Sequence, residues 1–187
     1  PQADTVRRNL GAPWSRDRSQ DYFGVFRSEV DLLHNVTAYG AVGVSSNQAQ
    51  GLMIKSISNI DSHGLGNGSA NATRNESTSI TADIGVRAHV KTAFLLHELA
   101  FAANRYQSDS GTFSQYETMN RGSVPIDSYT AFARPTIKVP GHAPHTASST
   151  LSSLAFADTI SALDKRIQVT AGLRVQRVQS ANFSAST

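Results

Sequence analysis

The 187-residue chain contains no cysteine, so neither a disulfide framework nor a thiolate metal site holds it together. No Lys/Arg run exceeds two. The 17 basic and 14 acidic residues are spread along the chain, and the resulting charge of +3 makes no case for nucleic acid. No apolar run approaches the roughly 18–20 residues that a membrane helix requires. With 39% hydrophobic and 7% aromatic residues, there is little material for a self-contained soluble core. Markers of chemistry are missing too. No Gly-x-Ser-x-Gly elbow surrounds a serine, and no compact pair of carboxylates is arranged for acid–base work. The glycines of residues 63–68, HGLGNG, lack the preceding strand and following helix of a phosphate loop. His142 and His145 are separated by Pro144 and have no further Asp, Glu or Cys close by in sequence, so a solvated loop is the plainer reading. The chain is therefore expected to be neither an enzyme nor a carrier of a resident cofactor or metal.

What is present is alternation. In residues 166–176, Ile167, Val169, Ala171, Leu173 and Val175 fall on one side, and Arg166, Gln168, Thr170, Gly172, Arg174 and Gln176 on the other. Strand side chains point to opposite faces with period two, whereas a helix would scatter these apolar residues around its circumference. The same period predicts strands over 21–32, 36–48, 79–90, 93–106 and 151–161. Short breaks are predicted at His34–Asn35, at Lys91–Thr92 and near residue 164. Two long polar stretches, residues 49–76 and 107–147, are expected to be loops, unusually long ones for a compact soluble domain. The charged residues Arg27, Glu29, Asp83, Arg87, Glu98 and Arg174 all fall on the polar sides of their strands.

Strands with one apolar and one polar wall, joined by short turns at one end and long loops at the other, have the layout of an outer-membrane β-barrel. Barrel strands need only about 9–11 residues each, and such a barrel needs at least about eight strands. Six strands would be part of one. Tyr22, Phe26, Phe101 and Phe156 suit membrane-facing or interface positions. An open six-stranded sheet has two unpaired edges and a bare apolar face. In water that face would be hidden by curling, by self-association with another copy, or by a long loop folded over it.

Three stretches carry a family resemblance. Residues 154–178, LAFADTISALDKRIQVTAGLRVQRV, resemble a hairpin of the TonB-dependent siderophore receptors with the pattern ADT…DDR…LTxGxRxQRV. Residues 28–43, SEVDLLHNVTAYGAVG, are similar to that family's strand, turn and strand, and residues 90–99, VKTAFLLHEL, to another of its turns. The resemblance covers most of the chain in order. It implies an all-β, antiparallel up-and-down meander of about six strands, a segment of a 22-stranded barrel in a bacterial outer membrane. It further implies ferric siderophore as the transported ligand, the TonB complex and outer-membrane lipid as partners, and no nucleic acid. A plug domain and the remaining barrel strands are not found within residues 1–187, so the segment alone is not expected to transport.

Ferric siderophores are often anionic or aromatic chelates, which suits Arg and Tyr on outer loops. The candidates in the second long stretch are Tyr106, Phe113, Tyr116, Arg121, Tyr129, Phe132 and Arg134. The plainer role for these side chains is to pack the loop onto itself or onto a barrel rim. The other class of function left open is a soluble β-rich binding or adhesion module whose apolar faces meet each other.

Overall fold

The computed structural model describes residues 12–119 in full, the backbone of 120–125, and residues 133–184. It consists of one six-stranded antiparallel sheet in which every strand pairs with its neighbour in sequence. The strands are β1 (Arg16–Leu33), β2 (Val36–Ser58), β3 (Leu65–Thr92), β4 (Leu95–Pro125), β5 (His145–Ala162) and β6 (Ile167–Asn182). Among the described residues there is no helix. The three short turns lie at one end of the sheet. His34–Asn35 is where expected. The turn expected at Lys91–Thr92 falls two residues later, at Ala93–Phe94, because the β3 ladder continues to a Thr92–Leu95 pair. The third turn closes through Arg166 N–H donating to Leu163 O at 3.1 Å, with Leu163, Asp164 and Lys165 all at positive φ.

Register sorts the side chains. Partners on adjacent strands point to the same face, so each ladder rung is a row across the sheet. One such row is Val30, Ala38, Val86, Phe101, Phe156 and Leu173. Together with its neighbours it forms an apolar band on one face, where Tyr22, Phe26, Ile84, Phe156 and Leu173 are all at least half exposed. The band covers residues 22–32 on β1 and 80–90 on β3 but 167–175 on β6, so its upper edge descends across the rungs. It reaches Val44 and Ile80 on β2 and β3, yet stops at Leu154 and Val175 on β5 and β6, two rungs lower. Strands tilted relative to the band give this stagger between the band and the register. The opposite face carries Arg27, Glu29, Asp83, Arg87, Glu98 and Arg174, as expected.

The two long stretches differ from the sequence expectation. β2 continues to Ser58 and β3 begins at Leu65, so most of residues 49–76 is paired strand, and the connection is only residues 59–64. Asp61 closes it by accepting the N–H groups of His63 at 2.8 Å and Leu65 at 2.9 Å. Likewise β4 runs on to Pro125, so residues 107–125 are strand rather than loop. These extensions carry Ser, Thr, Asn, Ala and Gly on both faces, which erases the apolar alternation. The backbone ladder between β3 and β4 still satisfies their N–H and C=O groups.

The small buried core sits on these extensions, above the band and on the same face. Ala12, Ala70 and Met119 form it, with Trp14, Ile54 and Ile57 packed against them. A turn with Pro13 at its second position, closed by Ser15 N–H to Ala12 O at 2.9 Å, delivers Ala12 and Trp14 there. Residues 133–144 form a strap along the same upper face. Glu117 accepts from Thr136 N–H and Oγ1, both at 2.9 Å, and from Ile137 N–H at 3.1 Å. Neither described segment covers the apolar band, so of the three expected ways of hiding it a folded-over loop is not seen among the described residues. The length of β4 carries the connection well above the band.

Candidate functional site

The polar face has two charged or aromatic groupings. The lower one is built on β1, β2 and β3. Arg27 pairs with Glu29, Arg87 lies 3.9 Å from the same carboxylate, and both guanidinium groups sit over the ring of Tyr39, at 5.7 and 4.9 Å from its centroid. Thr37 Oγ1 donates to Asp31 at 2.7 Å. Tyr39 lies flat because its rung partner, Gly85, has no side chain to lift it. The Asp83 carboxylate shares this face, and its Oδ1 is buried with no hydrogen-bond partner.

The upper grouping lies on the β2–β4 extensions. Lys55 Nζ stands 3.7 Å from the centre of the Tyr116 ring. Ser114 and Asn71 flank it, with Ser114 Oγ donating to Asn71 Oδ1 at 3.4 Å. The Ser114 hydroxyl and then the Lys55 charge hold the Tyr116 phenol below its ordinary value near 10. Between the groupings runs a wall of hydroxyls and amides, including the Ser45–Ser79 pair at 2.8 Å and Asn47 donating to Asp21. Such a wall can bind by hydrogen bonds, by a cation and by aromatic contact. Among the described residues no group of three or more His, Asp or Glu side chains is placed to hold a metal ion. His142 instead lies 3.7 Å from Glu76, and His145 lies 3.5 Å from Asp109 and stacks on Phe183.

The sequence candidates are not brought to one place. Tyr106 and Tyr116 both stand on the polar face, but ten residues of one strand separate them, roughly 33 Å. Phe113 is half-buried on the opposite face, paired in register with Arg74. Arg121 lies in β4 with its side chain outside the described residues, and Tyr129 and Phe132 lie outside them altogether. Arg134 is exposed in the strap. Sequence reasoning missed Lys55, which lies in the stretch expected to be loop. It is the residue skipped in the β2–β3 ladder, between the Ile54–Ala70 and Ser56–Ser69 pairs, and its ammonium lies over Tyr116.

The same wall of strands is found in siderophore receptors of known structure. The ferric preacinetobactin receptor BauA of Acinetobacter baumannii matches with a TM-score of 0.68 and 22% identity, over 92% of this chain and 26% of that one. The siderophore receptor PiuA of the same organism matches with a TM-score of 0.51 and 12% identity, over 91% and 30%. In sequence, the chain is 27% identical over 195 residues to the ferrichrome receptor FcuA of Yersinia enterocolitica. That alignment takes in 99% of this chain but 24% of the receptor, so the chain spans about a quarter of its curated relative. No protein-family model matches. The likeness to siderophore receptors expected from the three motif stretches is thus borne out in sequence and in fold, and these relatives are receptors rather than enzymes.

Proposed function

We propose that this chain is a stretch of barrel wall from an outer-membrane receptor that binds a ferric siderophore and imports it with energy from the TonB complex. In this reading the apolar band faces lipid, the polar face lines the lumen around a plug, and the short turns face the periplasm. The β2–β4 extensions then stand at the outer surface, where Tyr116 and Lys55 are available to an arriving chelate, while Tyr106 faces the lumen level with the band's upper edge. Arg134, exposed in the strap, belongs to the same outer rim. The remaining strands of a 22-stranded barrel and the plug come from elsewhere in the receptor, and this segment alone does not transport.

The bare apolar band carries the proposal. Each Leu-, Val- or Phe-sized side chain left in water forgoes roughly 1.5–3 kcal/mol of burial. More than a dozen such side chains are exposed on the sheet. Their sum exceeds the whole stability of an ordinary domain, about 5–15 kcal/mol. A soluble module would need a second apolar surface against the band, and among the described residues none meets it. Lipid supplies that surface at no such cost.

Single cysteines along β6 test the assignment. Labelled with an environment-sensitive fluorophore in the protein reconstituted into vesicles, positions 167, 169, 173 and 175 should be quenched by brominated acyl chains. Positions 168, 170, 174 and 176 should not. Equal quenching at alternate positions would rule the barrel wall out.

A further inference from the structure

At the upper edge of the apolar band, on β3–β6, the surface is hollowed into a groove of about 470 Å³. Ala82 and Ala103 are small enough to form its floor, and Leu154 and Val175 stand beside it. Its head is one register row: Arg105 on β4, Ser152 on β5 and Arg177 on β6. Adjacent strands lie about 4.8 Å apart, so the two arginine backbones are separated by roughly 10 Å with a hydroxyl between them. The residues one rung below are Ala103, Leu154 and Val175, without a polar group. The row therefore marks where the band gives way to polar surface.

Arg105 and Arg177, like Arg16, Arg18 and Arg174, differ from the arginines of the sheet that are paired with carboxylates. Arg27 and Arg87 share Glu29, and Arg74 holds Glu76. Among the described residues, neither Arg105 nor Arg177 is paired with a carboxylate, and both are exposed. Two guanidinium groups beside an apolar surface need anions, and their planar forks suit phosphate oxygens in a bidentate manner. Their stems can lie along the apolar wall while the charged ends reach the interface.

We propose that this groove is a site for a phospholipid of net negative charge, its acyl chain along Ala82, Ala103 and Leu154 and its phosphate, not neutralised by a cationic headgroup, between Arg105 and Arg177. The site rests on the reading of the apolar band as lipid-facing and adds headgroup selection to it. The charge complementarity and the apolar channel leading down from it commit the site to an amphiphile rather than to a free anion.

The test uses the protein reconstituted in vesicles with a fluorophore on Leu154→Cys, quenched either by a spin-labelled choline lipid or by the same lipid with a phosphoglycerol headgroup. The anionic lipid should quench more strongly at equal mole fraction, with an association advantage of roughly fivefold per arginine. The R105Q/R177Q variant should lose that advantage and keep its quenching by the choline lipid, which also reports that it has inserted. Arg174→Gln, on the opposite face, should leave the advantage intact. Equal quenching by the two lipids in the unaltered protein would overturn the site while leaving the lipid-facing wall standing. No quenching by either lipid would overturn both.

Discussion

The ring of Tyr39 occupies the space above Gly85, its rung partner on the next strand. A Cβ at residue 85 would come within 2.5 Å of both the Tyr39 hydroxyl and Cζ, and within 2.6 Å of the Phe101 carbonyl oxygen. The glycine therefore lets the aromatic ring lie across the sheet, where Arg27 and Arg87 stack on it. Gly85→Ala should lift the ring and strain the β3–β4 ladder, costing about 1–3 kcal/mol. Gly40→Ala is the comparison. The nearest atom to a Cβ there is Ile84 Cγ2 at 3.8 Å, and that substitution should be neutral or slightly stabilising. Urea midpoints in detergent micelles measure both. Equal midpoints for the two variants would sink the packing argument.

Ala93 turns the β3–β4 hairpin at φ 53, a left-handed conformation that L-residues disfavour by about 1–2 kcal/mol. Glycine adopts it freely but has more entropy to lose from the unfolded chain, about 0.4–1 kcal/mol. Ala93→Gly should then stabilise by several tenths of a kcal/mol, about half of the larger figure. Ala93→Val, β-branched, should destabilise. Thermal melts of the pair should move in opposite directions, and a shift of the same sign in both would contradict the turn geometry.

Tyr116 should ionise below its ordinary value near 10. Its folded value is lowered by Ser114 and then by Lys55, so the stabilisation tied to its ionisation is present above the unfolded value near 10 and is lost as pH falls through the folded one. At neutral pH the phenol is protonated in both states and this coupling contributes nothing. Lys55→Met should move the Tyr116 step of the alkaline absorbance titration at 295 nm, identified by its loss in Tyr116→Phe, to higher pH and leave neutral-pH stability unchanged by this route. An unaltered titration curve would place the lysine elsewhere.

The strap should be acid-sensitive. Burial raises the Glu76 carboxyl, but the Arg74 hydrogen bond, the Ala143 N–H and the charges of Arg74 and His142 outweigh it, and the net direction is down. A lowered carboxylate contributes stability above its unfolded value of 4.5, and that contribution disappears as pH falls through the lower folded value. Protease cleavage within residues 133–144 should therefore accelerate only below about pH 4.5. Glu117→Ala, which removes the acceptor for Thr136 and Ile137, should speed cleavage at neutral pH by a factor of roughly five to ten, corresponding to about 1–1.4 kcal/mol. A pH-independent cleavage rate would show that Glu76 does not hold the strap.

The strand cores, their two faces and the end of the sheet that carries the short turns were all legible in the sequence. Ile167 to Val175 and Ile80 to Val90 alternate without a break, and period two needs no tertiary information to be read. The β2–β4 extensions were not legible. Residues such as Asn67, Ser69, Asn71 and Thr73 have neither β-branched enrichment nor an apolar face to signal a strand. They are extended because β2 and β4 pair with them on both sides. The seven ligand candidates illustrate the same limit. Alternation gives each residue a face, but a site also needs positions on different strands to share a rung.

Local alternation, a property of each segment alone, determined that this chain is a meander with one apolar and one polar wall, because side-chain direction in a strand depends only on residue parity. Register was decided by the tertiary structure. It set Tyr39 on Gly85 and Arg105 in line with Arg177, and it lowered the apolar band across successive strands. Hydrogen-bond pairing between strands is a non-local choice, and no single strand contains the information to make it.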